Sequence, residues 1–136
     1  MAEPSGAKKH KVLFADDEKS MTVIIQSRLK AIGYDVMIAC NGAEALALSA
    51  REKPDIIILD KNMPGMDGIE VCRKLKADDQ TRRIPVVFFT CQMERELEEK
   101  CIAAGALGII YKPEVAELCD AIKKVLSGQK LDDWEE

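Results

Sequence analysis

The sequence predicts an α/β fold in which a parallel sheet is covered by helices on both faces. Three observations predict it. Strand-like and helix-like patterns alternate five times along the chain, no hairpin signal joins one strand to the next, and one strand is a continuous apolar run of the kind buried on both sides. Right-handed crossovers leave few topologies for five such units.

Residues 1–10 hold Pro, Ser, Gly and Lys and are expected to form a flexible arm. The first strand is residues 12–15, ending in Asp16 and Asp17. Met21, Ile24, Ile25, Leu29 and Ile32 then recur at helical spacing, and Gly33 stands where a left-handed glycine would stop the helix. The second strand is residues 35–39. Asn41 with Glu44 three positions on resembles a capping box for an Ala- and Leu-rich second helix, which must end before Pro54.

Residues 56–59, Ile-Ile-Ile-Leu, are the apolar run, and they end in Asp60. A Pro/Gly loop follows at residues 62–66, with Met63 and Met66 expected to pack it. Asp67 with Glu70 opens the third helix. The fourth strand is residues 86–89, ending in Thr90. The fourth helix starts near Glu94 and stops at Gly105, with the charges of 94–100 on a solvated face. The fifth strand is residues 107–111, ending in Lys112. Pro113 suits the first turn of a fifth helix that buries Val115, Leu118, Cys119, Ile122 and Leu126 and ends at Gly128. This assigns one domain to residues 11–128, with an acidic tail at 129–136.

Composition narrows the class. A chain of 136 residues has the usual size of one domain and buries a core without staples. Only 4% is aromatic, so the core is aliphatic. The net charge of −4 disfavours direct nucleic-acid binding. Cys40, Cys72, Cys91, Cys101 and Cys119 are odd in number and lack CxxC spacing. That suggests reduced thiols in the cytoplasm, with Cys91 a small buried filler. No targeting peptide or membrane segment is expected, the run 101–111 being too short to span a bilayer.

Four of the five strands end in a residue able to handle a phosphate or a metal: Asp16 and Asp17, Asp60, Thr90, and Lys112. In a parallel sheet these ends share one edge, where open α/β sheets bind their ligands. Taken singly, each residue has an ordinary reading as a cap, a turn residue, a strand terminus or a surface lysine; together they suggest a site. Three carboxylates in one crevice repel unless positive charge is near. Mg²⁺ suits an oxygen donor set and often shares its shell with a phosphate. A carboxylate nucleophile, a metal and a lysine suit phosphoryl transfer by in-line attack.

Asp16-Asp17, Asp60 within DIIILDKNMPGMDG, Thr90 within VVFFT, and Lys112-Pro113 resemble the response-regulator receiver domains of two-component signalling over residues 11–127. The resemblance implies a flavodoxin-like doubly wound sheet of order 2-1-3-4-5 with five helices. It makes Asp60 the phosphoacceptor. Asp16, Asp17, Asp60 and the Asn62 carbonyl would hold Mg²⁺. Lys112 would pair with Asp60 and then with the phosphoryl oxygens, Thr90 would turn toward the phosphoryl group, and the Lys112–Pro113 bond would be cis. The implied donor is a sensor histidine kinase or a histidine phosphotransfer protein, and the output is a downstream protein bound at helix four, strand five and helix five.

The family pattern is departed from at three positions. Ile109 stands where many receivers carry the aromatic partner of the threonine, so the switch pair here is Thr90 and Ile109. Tyr111 is expected on the opposite strand face. Cys91 replaces a common Ala or Ser, and Glu114 a common Phe. No effector domain is expected after helix five, so the chain would act through other proteins, stand-alone or as a piece of a longer protein. It would be no enzyme beyond its own phosphorylation and dephosphorylation. Three rivals fit less well. An aspartate-nucleophile phosphatase would want an acid where Asn62 stands. In a flavin module, the Asp16-Asp17-Glu18 loop would repel the phosphate. A scaffold that is never phosphorylated has no residue in its favour.

Overall fold

The computed structural model describes residues 9–91 and 95–128. Five strands and five helices alternate: β1 (Lys11–Ala15), α1 (Lys19–Ile32), β2 (Asp35–Ala39), α2 (Gly42–Glu52), β3 (Ile56–Leu59), α3 (Gly68–Ala77), β4 (Val86–Thr90), α4 (Arg95–Ala103), β5 (Gly108–Tyr111) and α5 (Val115–Leu126). All neighbouring strands are parallel, in the order β2-β1-β3-β4-β5. This is the flavodoxin-like order.

Side-chain alternation splits the core into two layers. Val12, Phe14, Ile56, Ile58, Val87, Phe89 and Ile110 pack under α1 and α5 through Ile25, Leu29, Leu118 and Ile122. Leu13, Ala15, Ile57, Leu59, Val86, Phe88 and Ile109 pack under α2, α3 and α4 through Ala45, Val71, Leu75 and Leu97. The β3 run is wholly buried on both faces because helices cover both.

Local signals set the helix ends. Asn41 Oδ1 accepts from Glu44 N at 2.8 Å, and Glu44 Oε1 accepts from Cys40 N at 2.6 Å, a reciprocal cap displaced by one residue from the usual box. Asp67 caps α3 by accepting from Glu70 N at 3.0 Å. Gly33 ends α1 at φ 111°, a conformation that favours glycine.

Several expectations need correction. Ile24 and Ile32 belong to the helical repeat of α1 but are 45% and 40% exposed, because the buried stripe is only Met21, Thr22, Ile25 and Leu29 wide. Pro113 precedes α5 rather than lying in its first turn; Glu114 is the N-cap, and the Lys112–Pro113 bond is cis. Val115 and Leu126 are half-buried, since they pack at the rim of the layer whose centre is Leu118 and Ile122. Cys91 is exposed, because it follows the last residue of β4 and has left the sheet. Tyr111 lies on the same face as Ile109, as two-residue spacing in a strand requires. Glu96, Glu98, Glu99 and Lys100 are exposed as expected, and Glu94 lies outside the described residues. So do residues 1–8 of the arm and the whole of 129–136.

Candidate phosphoryl-transfer site

The parallel ladder delivers the site residues to one edge. Asp16 N donates to Ala39 O at 3.0 Å and Asp60 N to Ala15 O at 3.0 Å, so both aspartates continue the sheet for one residue beyond their strands. Lys112 N donates to Thr90 O at 2.9 Å in the same way. Strand alternation then selects which side chains meet. Asp16 follows Val12 and Phe14, Asp60 follows Ile56 and Ile58, and Lys112 follows Ile110, all on the face shared with α1 and α5.

They do meet. Lys112 Nζ lies 2.8 Å from Asp16 Oδ2 and 3.2 Å from Asp60 Oδ2. Its side chain is 8% exposed, so this is no solvated surface lysine. Burial works against its charge, yet Asp16, Asp60 and Glu18 outweigh burial and raise its pKa; the ammonium stays protonated. Burial raises the pKa of Asp16, opposed by the Lys112 ammonium and by the Glu18 amide, which donates to Oδ1 at 2.9 Å.

In the sequence Glu18 stands out only as part of the acidic Asp16-Asp17-Glu18 loop, not as a partner of Lys112. Its Oε1 lies 3.1 Å from Lys112 Nζ. No spacing rule joins positions 18 and 112; only its adjacency to Asp16-Asp17 hinted at the site.

The acidic cluster fits a hard divalent cation. Asp16, Asp17 and Asp60 each offer a carboxylate oxygen, all within 4.8 Å of one another. Asp16 Oδ2 is buried and is held by the Lys112 ammonium at 2.8 Å. An all-oxygen set of three carboxylates, two of them buried, matches the preference of Mg²⁺. Asp17 is exposed, which leaves the site open to solvent on one side. Asn62, also exposed, lies on the loop after Asp60, and its backbone N–H donates to Asp60 Oδ1 at 3.4 Å.

Thr90 ends β4, wholly buried. The β4–β5 register pairs it with Tyr111, and Ile109 with Phe88. Ile109 therefore sits two residues short of the threonine in the ladder, on the same face as Tyr111. Among the described residues, no helix is long and apolar enough to cross a membrane.

The family model for the response regulator receiver domain matches residues 12–123. The response regulator PleD of Caulobacter vibrioides is 44% identical over 103 residues, covering 76% of this chain. The chain spans only 23% of PleD's length. Sporulation initiation phosphotransferase F of Bacillus subtilis is 34% identical over 117 residues, covering 85% of this chain and 93% of its own length. Among solved structures, the receiver domain of the sensor histidine kinase PA1611 from Pseudomonas aeruginosa, with a magnesium ion coordinated in its active-site cleft, superposes with a TM-score of 0.81 at 25% identity. That match covers 89% of this chain and 100% of that one.

Proposed function

Because the chain belongs to the response regulator receiver domain family, we propose that it is a phosphorylation-gated signalling module that accepts a phosphoryl group on Asp60. The observation that carries this reading is Lys112 held 2.8 and 3.2 Å from two buried carboxylates at the sheet edge. One of these, Asp60, is the nucleophile. An Asp60 oxygen attacks phosphorus in line while the donor's bond to phosphorus breaks and the donor keeps the electron pair.

Asp16, Asp17, Asp60 and the Asn62 carbonyl hold Mg²⁺. When bound, the metal supplies charge neutralisation on the phosphoryl oxygens. Lys112 adds a fixed ammonium against the same oxygens. Thr90 turns its hydroxyl toward the phosphoryl group, and Ile109 packs behind it in place of an aromatic. The change in charge biases a two-state surface over α4, β5 and α5.

The donor is a phosphohistidine on a sensor histidine kinase or a histidine phosphotransfer protein, and a downstream protein reads the result. The working unit is residues 11–128, with the N-terminal arm and acidic tail outside it. It needs neither nucleic acid nor a membrane for this role. It is not an enzyme beyond its own phosphorylation and dephosphorylation. Its free cysteines, all five unpaired, suit a cytoplasmic location.

Incubation with acetyl phosphate and Mg²⁺, read by intact mass, tests the reading. One phosphoryl adduct is expected, absent in Asp60→Ala and blocked by a chelator. An adduct that survives Asp60→Ala overturns it.

A further inference from the structure

Lys112 is shared by a third carboxylate that the phosphoacceptor reading does not use. Glu18 Oε1 lies 3.1 Å from Nζ, alongside Asp16 at 2.8 Å and Asp60 at 3.2 Å. An ammonium carries three N–H donors and accepts nothing. Three carboxylates therefore already crowd it before any phosphoryl group arrives.

The three differ in how readily they leave. The Asp16 and Asp60 side chains are 0% and 8% exposed, whereas that of Glu18 is 52% exposed. A buried carboxylate stripped of its counter-ion keeps its desolvation penalty, while a half-exposed one is rehydrated at once. Glu18 is also free of other structural duty at the helix start. It stands at the N-cap of α1, yet its side chain makes no capping hydrogen bond. The backbone does the local work, with Glu18 N donating to Asp16 Oδ1 and Glu18 O accepting from Met21 N and Thr22 N.

We propose that Glu18 is the exchangeable partner of Lys112: a positioning residue that satisfies the ammonium in the unphosphorylated protein and gives way to a phosphoryl oxygen on Asp60. The inference rests on Asp60 being the phosphoacceptor. When an Asp60 oxygen bonds to phosphorus and the donor departs with its electron pair, a dianionic group arrives beside Lys112. Glu18 carries like charge, is repelled, and turns into water. It thus competes with the phosphoryl group for one cation. Its presence slows formation of the adduct and hastens its loss.

The test compares wild type with Glu18→Gln, which keeps shape and backbone and removes charge, and with Lys112→Ala and the double variant. Acetyl phosphate and Mg²⁺ supply the phosphoryl group, and intact mass follows formation and decay of the adduct. Glu18→Gln is expected to form adduct faster and lose it more slowly, each by about threefold, the scale of a partly exposed ion pair. The gain is expected to vanish in the Lys112→Ala background, as coupling through that ammonium requires. It is also expected to persist at about 0.5 M salt, where long-range repulsion of an anionic donor is screened. Unchanged rates in Glu18→Gln, a gain that survives Lys112→Ala, or a gain abolished by salt would each overturn the inference while leaving the phosphoacceptor reading intact. No adduct on wild type would overturn both.

Discussion

Lys112 Nζ and Asp60 Oδ2 lie 3.2 Å apart although 52 positions separate them in the chain. The strands carry them there: β3 and β5 end at the same edge, and two-residue alternation points both side chains to the α1–α5 face.

Removing the ammonium leaves two buried carboxylates facing each other without compensation. Lys112→Ala is expected to lower stability by about 3 kcal/mol, the cost of breaking a buried ion pair, measured by urea unfolding without Mg²⁺. The variant is expected still to accept some phosphoryl group but to lose the response downstream. Phosphorylation-dependent amide shifts at Thr90 and Tyr111 report that response. Shifts equal to wild type would contradict the role given to Lys112.

Mg²⁺ is expected to stabilise the fold, because Asp16, Asp17 and Asp60 come within reach of one ion only in the folded protein. At one hundred times the dissociation constant the gain is about 2.7 kcal/mol. Asp17→Asn removes the exposed carboxylate of the cluster and is expected to cost about tenfold or more in affinity while leaving the metal-free unfolding midpoint within error. Calorimetric titration and thermal unfolding check both halves. Equal affinity in Asp17→Asn would remove that residue from the metal set.

Gly68 opens α3 against the back of the Asp60 loop. A Cβ there would collide with the carbonyl oxygen of Asp60 and approach Lys61 Cα and Phe88 Cε2 to 3.0 Å. Gly68→Ala is expected to destabilise by about 1–3 kcal/mol and to slow phosphorylation by shifting Asp60. A denaturation midpoint and an adduct rate both equal to wild type would refute the close approach.

Three thiols are sealed and two are open. Burial pushes Cys72 from 9.0 to about 11 and Cys101 to about 12, and raises Cys119, while Cys40 and Cys91 are exposed. An aromatic disulfide reagent is expected to titrate two thiols in the native protein and five in denaturant. The pH dependence follows by sign. The fold favours neutral thiols, so their contribution is complete below pH 9 and is lost as pH rises toward 11 and 12. Cys72→Ala is expected to flatten the alkaline fall in unfolding free energy; an identical slope would contradict it.

The sequence made the sheet legible because the strands are short and mainly apolar and four of the five are closed by a polar residue, as at Leu59-Asp60 and Tyr111-Lys112. The same pattern put the site residues on one edge, since parallel strands share their carboxyl ends. What stayed hidden depended on contacts between distant side chains. Glu18 reaches Lys112 only after α1 and β5 are placed, and nothing local at position 18 specifies that pair. The exposure of Ile24 and Ile32 was hidden because a periodic apolar pattern gives a helix face but not the width of what covers it. Cys91 was misjudged from its small apolar character, whereas its position one residue beyond β4 decided its exposure. Tyr111 follows from two-residue alternation alone, which puts it with Ile109.

The most direct measurement is chemical mapping of the phosphoryl group. After acetyl phosphate and Mg²⁺, borohydride reduction converts an aspartyl phosphate to homoserine, and peptide sequencing by mass locates it. Homoserine at position 60 alone is the predicted result. Homoserine at position 16 or 17, or a phosphoryl group that resists reduction because it sits on a hydroxyl, would contradict the account.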